Sequence, residues 1–216
     1  MIHGNLNIIN ADCMEIMKNY SDNYFDLAIV DPPYMENIND YMGMQKRLEN
    51  CARTKIYNNI NNFGKPNTNY FNELFRVSRN QIIWGANHFK NFGAGRIIWN
   101  KDNTGQFNDC EIAYQSKSNS IRIFKWRWNG MIQQDMKNKE NRIHPTQKPV
   151  KLYEFILNNY SEKDFKVLDT HLGSGSSAIA GFYYGCKEFV GIEIDEEYYK
   201  ASIKRIKEET AQIKLL

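Results

Sequence analysis

Short apolar segments alternate with stretches of helical periodicity along most of this chain. Mainly apolar runs predict β-strands at 6–9, 25–30, 81–84, 96–99, 111–115, 120–126, 165–168 and 189–192. Apolar positions spaced three and four residues apart predict helices at 13–18, 70–78, 149–160, 176–184 and 196–209. Strands that are separated by helices predict a doubly wound, Rossmann-like α/β sheet.

Two segments lack this periodicity. Pro32 and Pro33 cannot continue a central strand, so the chain must leave the sheet after residue 30. Residues 35–69 are then predicted to form a long loop or mobile insert, and loops of that length are uncommon and usually functional. The polar stretch 129–142 is a second predicted loop. A chain of 216 residues fits a single core, so we expect one domain spanning residues 1–216.

The composition excludes several classes of protein. Hydrophobic residues make up 42% of the chain and charged residues 25%, which is near the globular average and excludes disorder as the main state. No apolar run approaches the roughly 18 residues of a membrane span, and the N-terminus has no signal-peptide pattern. The four cysteines are scattered with no CxxC pair, so we expect no metal site, no disulfides and a cytoplasmic protein.

The formal net charge of +3 conceals a basic segment. Between residues 115 and 151, nine Lys or Arg residues stand against Asp135 and Glu140. Such a segment suits a polyanionic partner, and Trp126 and Trp128 lie between its cations. A solvated edge strand with a packed tryptophan is the alternative. Six cations are candidates for contacting the partner: Arg122, Lys125, Arg127, Lys137, Lys139 and Arg142.

Two predicted strand ends suggest a nucleotide-type site, because ligands of open α/β sheets bind beyond the carboxyl ends of the strands. Strand 165–168 is followed by Asp169 and by Gly173-Ser174-Gly175-Ser176, which leads into a helix. Glycines let a ligand approach the backbone, and a helix N-terminus offers free N–H groups. Glu193 follows the next strand, about 20 residues later, where an acid suits ribose hydroxyls. An ordinary tight turn and a solvated acid at a helix start are the alternatives.

A third strand end carries Asp31-Pro32-Pro33-Tyr34. The exocyclic amine of a nucleobase is a poor nucleophile because its lone pair is delocalised into the ring. The Asp31 carboxylate and the Pro32 carbonyl are both acceptors, so they could hold the two amine hydrogens and free the lone pair. Pro33 stiffens the turn, and Tyr34 offers a flat face to an extruded base. A capped, proline-rich turn is the alternative.

Together these motifs resemble the amino-group DNA methyltransferases that use S-adenosylmethionine. The resemblance rests on Asp31-Pro32-Pro33-Tyr34, His144-Pro145-Thr146-Gln147-Lys148-Pro149, Asp169 to Gly175 and Gly191-Ile192-Glu193. The catalytic tetrapeptide precedes the cofactor loop, as in the permuted β-group of that family. The resemblance therefore implies a circularly permuted methyltransferase sheet, and it covers the first 34 residues and nearly all of 142–206.

The resemblance implies a role for each matching position. The tetrapeptide of residues 31–34 would be catalytic. The cofactor would be held by Asp12 and Cys13 near its adenine, by Glu193 at its ribose, by His144, Thr146 and Lys148 at its methionine end, and by Asp31, Asp169, His171, Gly173, Ser174, Gly175 and Ser176. Lys148 would pair with the methionine carboxylate. Thr170-His171 departs from the Pro-Phe that is frequent in the family, and simple packing is the favoured interpretation of His171.

An Asp before Pro-Pro-Tyr goes mostly with adenine in this family, and Ser goes mostly with cytosine. The resemblance therefore implies site-specific methylation of adenine N6 in double-stranded DNA by base flipping and direct displacement, as in restriction-modification. Cytosine N4 is the alternative. Residues 100–142, with the six cations, would read the target, and a homodimer would supply more DNA-facing surface.

Two rival functions belong to other classes. Related Asn/Asp-Pro-Pro-Tyr enzymes methylate a protein glutamine or RNA, but they usually place the cofactor loop before the tetrapeptide. A catalytically inactive DNA-binding relative would keep the fold alone, and the intact Asp31, Tyr34, Lys148 and Glu193 argue against it.

Overall fold

Nine β-strands form one mixed sheet in the computed structural model of this chain, which describes residues 1–34, 65–103, 108–128 and 132–211. The strands are β1 Ile2–His3, β2 Leu6–Asn10, β3 Phe25–Val30, β4 Ser78–Trp84, β5 Arg96–Asn100, β6 Cys110–Gln115, β7 Ile121–Lys125, β8 Lys166–Asp169 and β9 Glu188–Glu193. Five helices accompany them in the same ranges: α1 Cys13–Met17, α2 Thr68–Val77, α3 Val150–Tyr160, α4 Ser176–Tyr184 and α5 Glu196–Ala211.

The strand order is β1-β2-β9-β8-β3-β4-β6-β5-β7. The central strands β2, β9, β8, β3 and β4 are parallel, β6 is antiparallel to both of its neighbours, and β7 ends the sheet parallel to β5. The chain runs outward from β8 to β9 on one side and from β3 to β4 on the other. The order therefore reverses between β8 and β3, and the crevice beyond their carboxyl ends is where such a sheet binds ligands.

Helices cover both faces of this sheet, which confirms the doubly wound prediction. In β3, Leu27 and Ile29 belong to the core cluster that contains α3, α4 and α5, whereas Ala28 and Val30 belong to the cluster that contains α1 and α2. Successive strand residues point to opposite faces, so a strand covered on both sides needs an unbroken apolar run. This is why residues 27–30 show no polar alternation.

Most predicted elements are present, with ends shifted by a few residues. The sequence predicts a helix through residue 78, but Ser78 is the first residue of β4. Pro149, predicted in the first turn of its helix, is the residue that precedes α3. β1 and the 3₁₀ turn Ala86–His88 were not predicted because both are too short to show a periodic pattern. Of the predicted insert 35–69, residues 35–64 lie outside the described residues.

The predicted strand 120–126 is the edge strand β7 of the sheet. Its Ile121 and Ile123 are 64% and 66% exposed, so the alternation there does not mark a buried face. No described helix is both long enough and apolar enough to cross a membrane.

Candidate active site at the carboxyl ends of the strands

The three strand ends singled out in the sequence meet at one edge of the sheet. Asp31 directly follows β3, Asp169 ends β8 and Glu193 ends β9, and these three strands are neighbours in the order β9-β8-β3. The carboxylates are close enough that Asp31 and Glu193 both raise the pKa of Asp169. The motifs therefore form a single site at the point where the strand order reverses.

Asp169 holds the glycine loop in shape. Its Oδ1 accepts a hydrogen bond from the His171 amide at 3.0 Å, and its Oδ2 accepts one from the Ser177 hydroxyl at 2.5 Å. The residue is 2% exposed. Burial raises the pKa of Asp169 to about 7, although both hydrogen bonds oppose the rise. Asp169 therefore stabilises the conformation of the glycine loop through these buried hydrogen bonds.

Glu193 is anchored to the same loop. Its Oε2 accepts from the Gly173 amide at 2.8 Å and its Oε1 accepts from the Asp195 amide at 2.9 Å. Gly173 has φ +52° and Gly175 has φ +76°, a backbone conformation that favours glycine. A carboxylate has about four acceptor positions, so Glu193 keeps capacity for a further donor such as a ribose hydroxyl.

The serines of the loop point inward. Ser174 and Ser176 are 5% and 2% exposed, and their hydroxyls lie 3.1 Å apart. Arg205 of α5 donates to the Ser174 carbonyl at 3.0 Å and to the Ser176 hydroxyl at 2.8 Å, and its other NH donates to Glu140 at 2.7 Å. The side chains of Ser174 and Ser176 are thus bound to protein groups, which leaves the backbone of the loop to face a ligand.

The segment after β2 lies beside Glu193. The backbone amide of Ala11 and the side chain of Asn10 both donate to the Glu193 carbonyl, at 3.1 and 2.8 Å. Asp12 is exposed and caps α1 by accepting from the Met14 amide at 2.8 Å. Cys13 is half-buried, and burial, followed by Asp12, raises its pKa to about 12. Cys13 therefore stays a neutral thiol.

His144 covers the glycine loop from the other side. Its ring packs edge-on against Tyr198 at 4.3 Å and lies 3.7 Å from the point that a Cβ on Gly173 would occupy. Burial, followed by the charges of Lys148 and Arg142, lowers the pKa of His144 to about 4, so the ring is neutral at pH 7. The hydroxyl of the exposed Thr146 lies 3.1 Å from its Nδ1.

Lys148 lies between two carboxylates. Its ammonium contacts Asp31 and lies 3.1 Å from Glu111, which also pairs with Lys101. Burial lowers the pKa of Lys148, but the two carboxylates more than offset this and hold it well above its usual value. The resemblance assigned Lys148 to the methionine carboxylate of the cofactor, whereas the structure places its ammonium on protein carboxylates.

Sequence reasoning missed Glu111. It is the second residue of β6, opposite Trp99 of β5, and burial would raise its pKa. Lys148 and Lys101 more than offset the burial, and the pKa of Glu111 is about 2. A single acid in a strand is a weak sign of a functional site, because the partners of Glu111 are distant in the chain.

Tyr34 is seated on the turn that follows β4. Its ring stacks on His88 with the centroids 4.2 Å apart and the planes 7° apart. Gly85 has φ +69°, and a Cβ there would lie 2.6 Å from the Tyr34 ring. Burial, followed by Asp31, raises the pKa of Tyr34 to about 12. Pro32 is buried and Pro33 half-buried, so the tetrapeptide is firmly packed.

His171 packs as the sequence suggested. Its ring meets Tyr70 edge-on at 5.4 Å, and its Nδ1 lies 2.9 Å from the Thr170 hydroxyl. Burial lowers the pKa of His171 to about 4. The half-buried ring is therefore a neutral packing element of the loop.

Five of the six candidate DNA-contacting cations are exposed, and Arg142 is half-buried. Lys125 and Arg127 both pair with Asp102, at 3.0 and 2.6 Å. Arg142 donates to the Pro145 carbonyl at 2.5 Å. Trp128 is 5% exposed and its indole N–H donates to the Gln147 carbonyl at 2.9 Å, so it is the packed tryptophan of the alternative interpretation.

The residues at this edge fit S-adenosylmethionine. Glu193 offers acceptors for a ribose, and the αL glycine at 173 leaves open the space that a Cβ would fill beneath His144. In the part of the chain that the structure describes, no group of three or more His, Cys, Asp or Glu residues could hold a metal ion.

Comparison with known proteins identifies the family. A family model for N6/N4 methyltransferases, described as DNA methylase, matches residues 25–204. The chain is 24% identical over 250 residues to the Type II methyltransferase M2.MboI of Moraxella bovis, covering 97% of this chain and 90% of that protein. It is 31% identical over 157 residues to the Type II methyltransferase M2.DpnII of Streptococcus pneumoniae, covering 72% of this chain and 52% of that protein.

Solved structures confirm the fold. The complex of M1.HpyAVI with S-adenosylmethionine has a TM-score of 0.54 and 21% identity, over 93% of this chain and 99% of that one. The cytosine-N4-specific PvuII DNA methyltransferase has a TM-score of 0.60 and 15% identity, over 96% of this chain and 90% of that one. The chain therefore belongs to the N6/N4 DNA methylase family: it is a DNA methyltransferase, and its methyl donor is S-adenosylmethionine.

Proposed function

We propose that this enzyme methylates N6 of adenine in a short, fixed sequence of double-stranded DNA. The observation that carries the proposal is the placement of Asp31. Its carboxylate stands at the end of β3, beside the glycine loop, with Oδ2 held by Lys148. Lys148 bonds Oδ2, and we assign Oδ1 to the incoming amine.

Asp31 acts on the amine by accepting one of its hydrogens, and the Pro32 carbonyl accepts the other. This holds the nitrogen close to tetrahedral geometry and directs its lone pair away from the two acceptors. The nitrogen becomes positively charged as it gains a methyl group, and the negative Asp31 stabilises that charge. The extra proton leaves to Asp31 or to water.

Tyr34 receives the extruded base. A base must leave the duplex before its amine can reach a buried carboxylate, and unstacking it costs a few kcal/mol. An aromatic face recovers part of that cost by stacking. His88 and Gly85 hold the Tyr34 ring in place before the base arrives.

S-adenosylmethionine, when bound, supplies a methyl group on a positively charged sulfur, which needs no metal or covalent nucleophile for activation. Glu193 would bind its ribose hydroxyls, and the backbone of residues 173–175 would lie along it. Asp12 and Cys13 would flank the adenine end, and His144 and Thr146 the methionine end. These side chains hold and orient the donor near Asp31.

The basic surface of residues 122–142 would bind the DNA backbone. Arg122, Lys137 and Lys139 are exposed, and phosphate contacts position a duplex without reading its sequence. Lys125 and Arg127 share Asp102, so a phosphate would have to compete with that carboxylate. A homodimer, which the family resemblance implies, would add to this surface, and light scattering tests it. DNA as the substrate agrees with a cytoplasmic enzyme.

Adenine is proposed over cytosine because Asp, not Ser, stands before Pro32. The fold itself does not decide the target, since the cytosine-N4-specific PvuII enzyme has the same fold. Expression in cells without DNA methylation should produce N6-methyladenine in one sequence context, detected by single-molecule sequencing. N4-methylcytosine would reject adenine as the target, and unmodified DNA despite cofactor binding would favour an inactive relative.

Replacing Glu193 with glutamine should weaken binding of S-adenosylmethionine by roughly 1.5–3 kcal/mol, because a charged acceptor for the ribose is lost. Isothermal titration calorimetry measures the change. Glu196→Gln is the matched control, since Glu196 is exposed at the start of α5 and pairs with Lys200. Equal affinity of Glu193→Gln and the natural protein would remove Glu193 from the ribose role.

A further inference from the structure

We propose that Lys148 and Glu111 are positioning residues for Asp31, which orient its carboxylate and set its charge for methyl transfer. The proposal rests on the proposed role of Asp31 and deepens it. It assigns Lys148 to the nucleophile's acceptor and not to the cofactor, and it brings Glu111 and its partner Lys101 into the site.

Four side chains of alternating charge form one chain of contacts. Asp31 contacts Lys148, Lys148 lies 3.1 Å from Glu111, and Glu111 contacts Lys101. Lys148 is 4% exposed, and the side chains of Glu111 and Lys101 are 21% and 16% exposed. These four side chains hold two negative and two positive charges, so their net charge is zero.

Four separate elements supply these side chains. Asp31 follows β3, Lys101 follows β5, Glu111 lies on β6, and Lys148 lies just before α3. Each lysine also lies over a tryptophan ring. The Lys148 ammonium is 5.4 Å from the Trp84 ring, and the Lys101 ammonium is 4.9 Å from the Trp99 ring. The two rings pack edge-on against each other, with their centroids 6.4 Å apart.

Lys148 favours the charged form of Asp31, although burial outweighs it and the pKa of Asp31 is raised on balance. Burial raises the pKa of Asp31, and Lys148 is the main group that opposes the rise. A protonated Asp31 would lose part of its acceptor capacity and could not stabilise a positive nitrogen. By bonding to Oδ2, the ammonium also fixes the plane of the carboxylate and leaves Oδ1 for the amine.

Glu111 moderates the effect of Lys148. A lone ammonium on Asp31 would make the carboxylate a weaker acceptor, because it would draw negative charge toward Oδ2. Glu111 shares the same ammonium at 3.1 Å and raises the pKa of Asp31. Lys148 therefore favours a charged Asp31 carboxylate, and Glu111 keeps that carboxylate a strong hydrogen-bond acceptor.

The test measures how the single-turnover methylation rate depends on pH. The quantity compared is the acid limb of this profile, the pH range in which the rate falls as Asp31 gains a proton. Removal of an opposite charge raises a carboxyl pKa, so Lys148→Met should move the limb upward by about 1–3 pH units. Removal of a like charge lowers it, so Glu111→Gln should move the limb downward. The other titratable groups that face Asp31 or Lys148 are retained in both variants: Lys101, His144, Asp169, Tyr34, Tyr70 and Tyr153.

Cofactor affinity separates the two roles of Lys148. Both variants should bind S-adenosylmethionine within about twofold of the natural protein, and Lys148→Arg, which keeps the charge, should keep the limb in place. Lys151→Met and Glu154→Gln, an exposed ion pair on α3, are matched controls. A tenfold loss of affinity in Lys148→Met would overturn the proposal and return Lys148 to the cofactor. Slower rates with an unmoved limb would also overturn it.

A second measurement does not depend on turnover. The carboxyl carbon of Asp31 can be titrated by ¹³C NMR, with Asp31→Ala used to assign its signal. The expected order of Asp31 pKa values is Lys148→Met highest, the natural protein next and Glu111→Gln lowest. Any other order overturns the proposal. If the natural protein makes no N6-methyladenine, the proposed function fails while this titration still tests the pairing.

Discussion

Asp31→Ala is expected to lower the rate of DNA methylation by about 10²–10⁴-fold, the range for removing a positioned proton acceptor or a charge that stabilises the transition state. The variant loses the only side-chain acceptor proposed for the amine, and it leaves Lys148 close to the position where the nitrogen becomes positive. The rate is measured in a single turnover, with enzyme and cofactor in excess over an oligonucleotide that contains the site.

The affinity for S-adenosylmethionine should change far less than the rate, because Asp31 is proposed to act on the amine. Calorimetry measures the affinity, and circular dichroism checks that the variant is folded. Asp164→Ala is the control, since Asp164 is exposed in the turn before β8. An Asp31→Ala enzyme that methylates within tenfold of the natural rate would exclude Asp31 from the catalytic role.

Arg205→Met is expected to lower the free energy of unfolding by about 3–5 kcal/mol, the cost of removing one partner of a buried ion pair. Arg205 is 5% exposed, and it bonds Glu140 at 2.7 Å and the Ser174 carbonyl at 3.0 Å. The substitution leaves Glu140 largely buried without its cation. Burial already raises the pKa of Glu140, and Arg205 is the first group that opposes the rise.

Urea denaturation followed by circular dichroism measures the loss. Lys204→Met is the control on the same helix, because Lys204 is exposed and its ion pair with Glu208 spans 3.9 Å. The double variant Arg205→Met with Glu140→Gln should recover part of the loss, since the uncompensated charge is gone. A loss below about 1 kcal/mol, typical of a surface pair, would contradict the prediction.

Residue patterns were sufficient to predict those structural features that depend on residues close together in the chain. The apolar run 27–30 predicts a strand covered on both faces, and Leu27 and Ala28 do belong to opposite core clusters. The motif order also placed Asp31 and Asp169 at strand ends, and the reversal of strand order between β8 and β3 brings them together. Local residue patterns and known motifs were enough to predict the buried strand and the strand-end carboxylates.

The sequence left alternatives open where the outcome depends on the partner of a side chain. Trp128 lies among the cations of the basic segment, yet its indole donates to Gln147 and the ring is buried. Ile121 and Ile123 are exposed because β7 is the edge of the sheet, which is the solvated edge strand that the sequence left as an alternative. Sequence spacing does not say which strand ends the sheet or what covers its faces.

The sequence by itself determined the alternation of strands and helices, the family and the candidate residues at the strand ends, because these depend on local periodicity and on short motifs. The tertiary structure alone decided that Lys148 lies between Asp31 and Glu111 and that Arg205 ties Glu140 to the glycine loop. The physical reason is that a buried charge is stable only beside an opposite charge. The order of the strands determines which residues, distant in the chain, lie close enough to form such a pair.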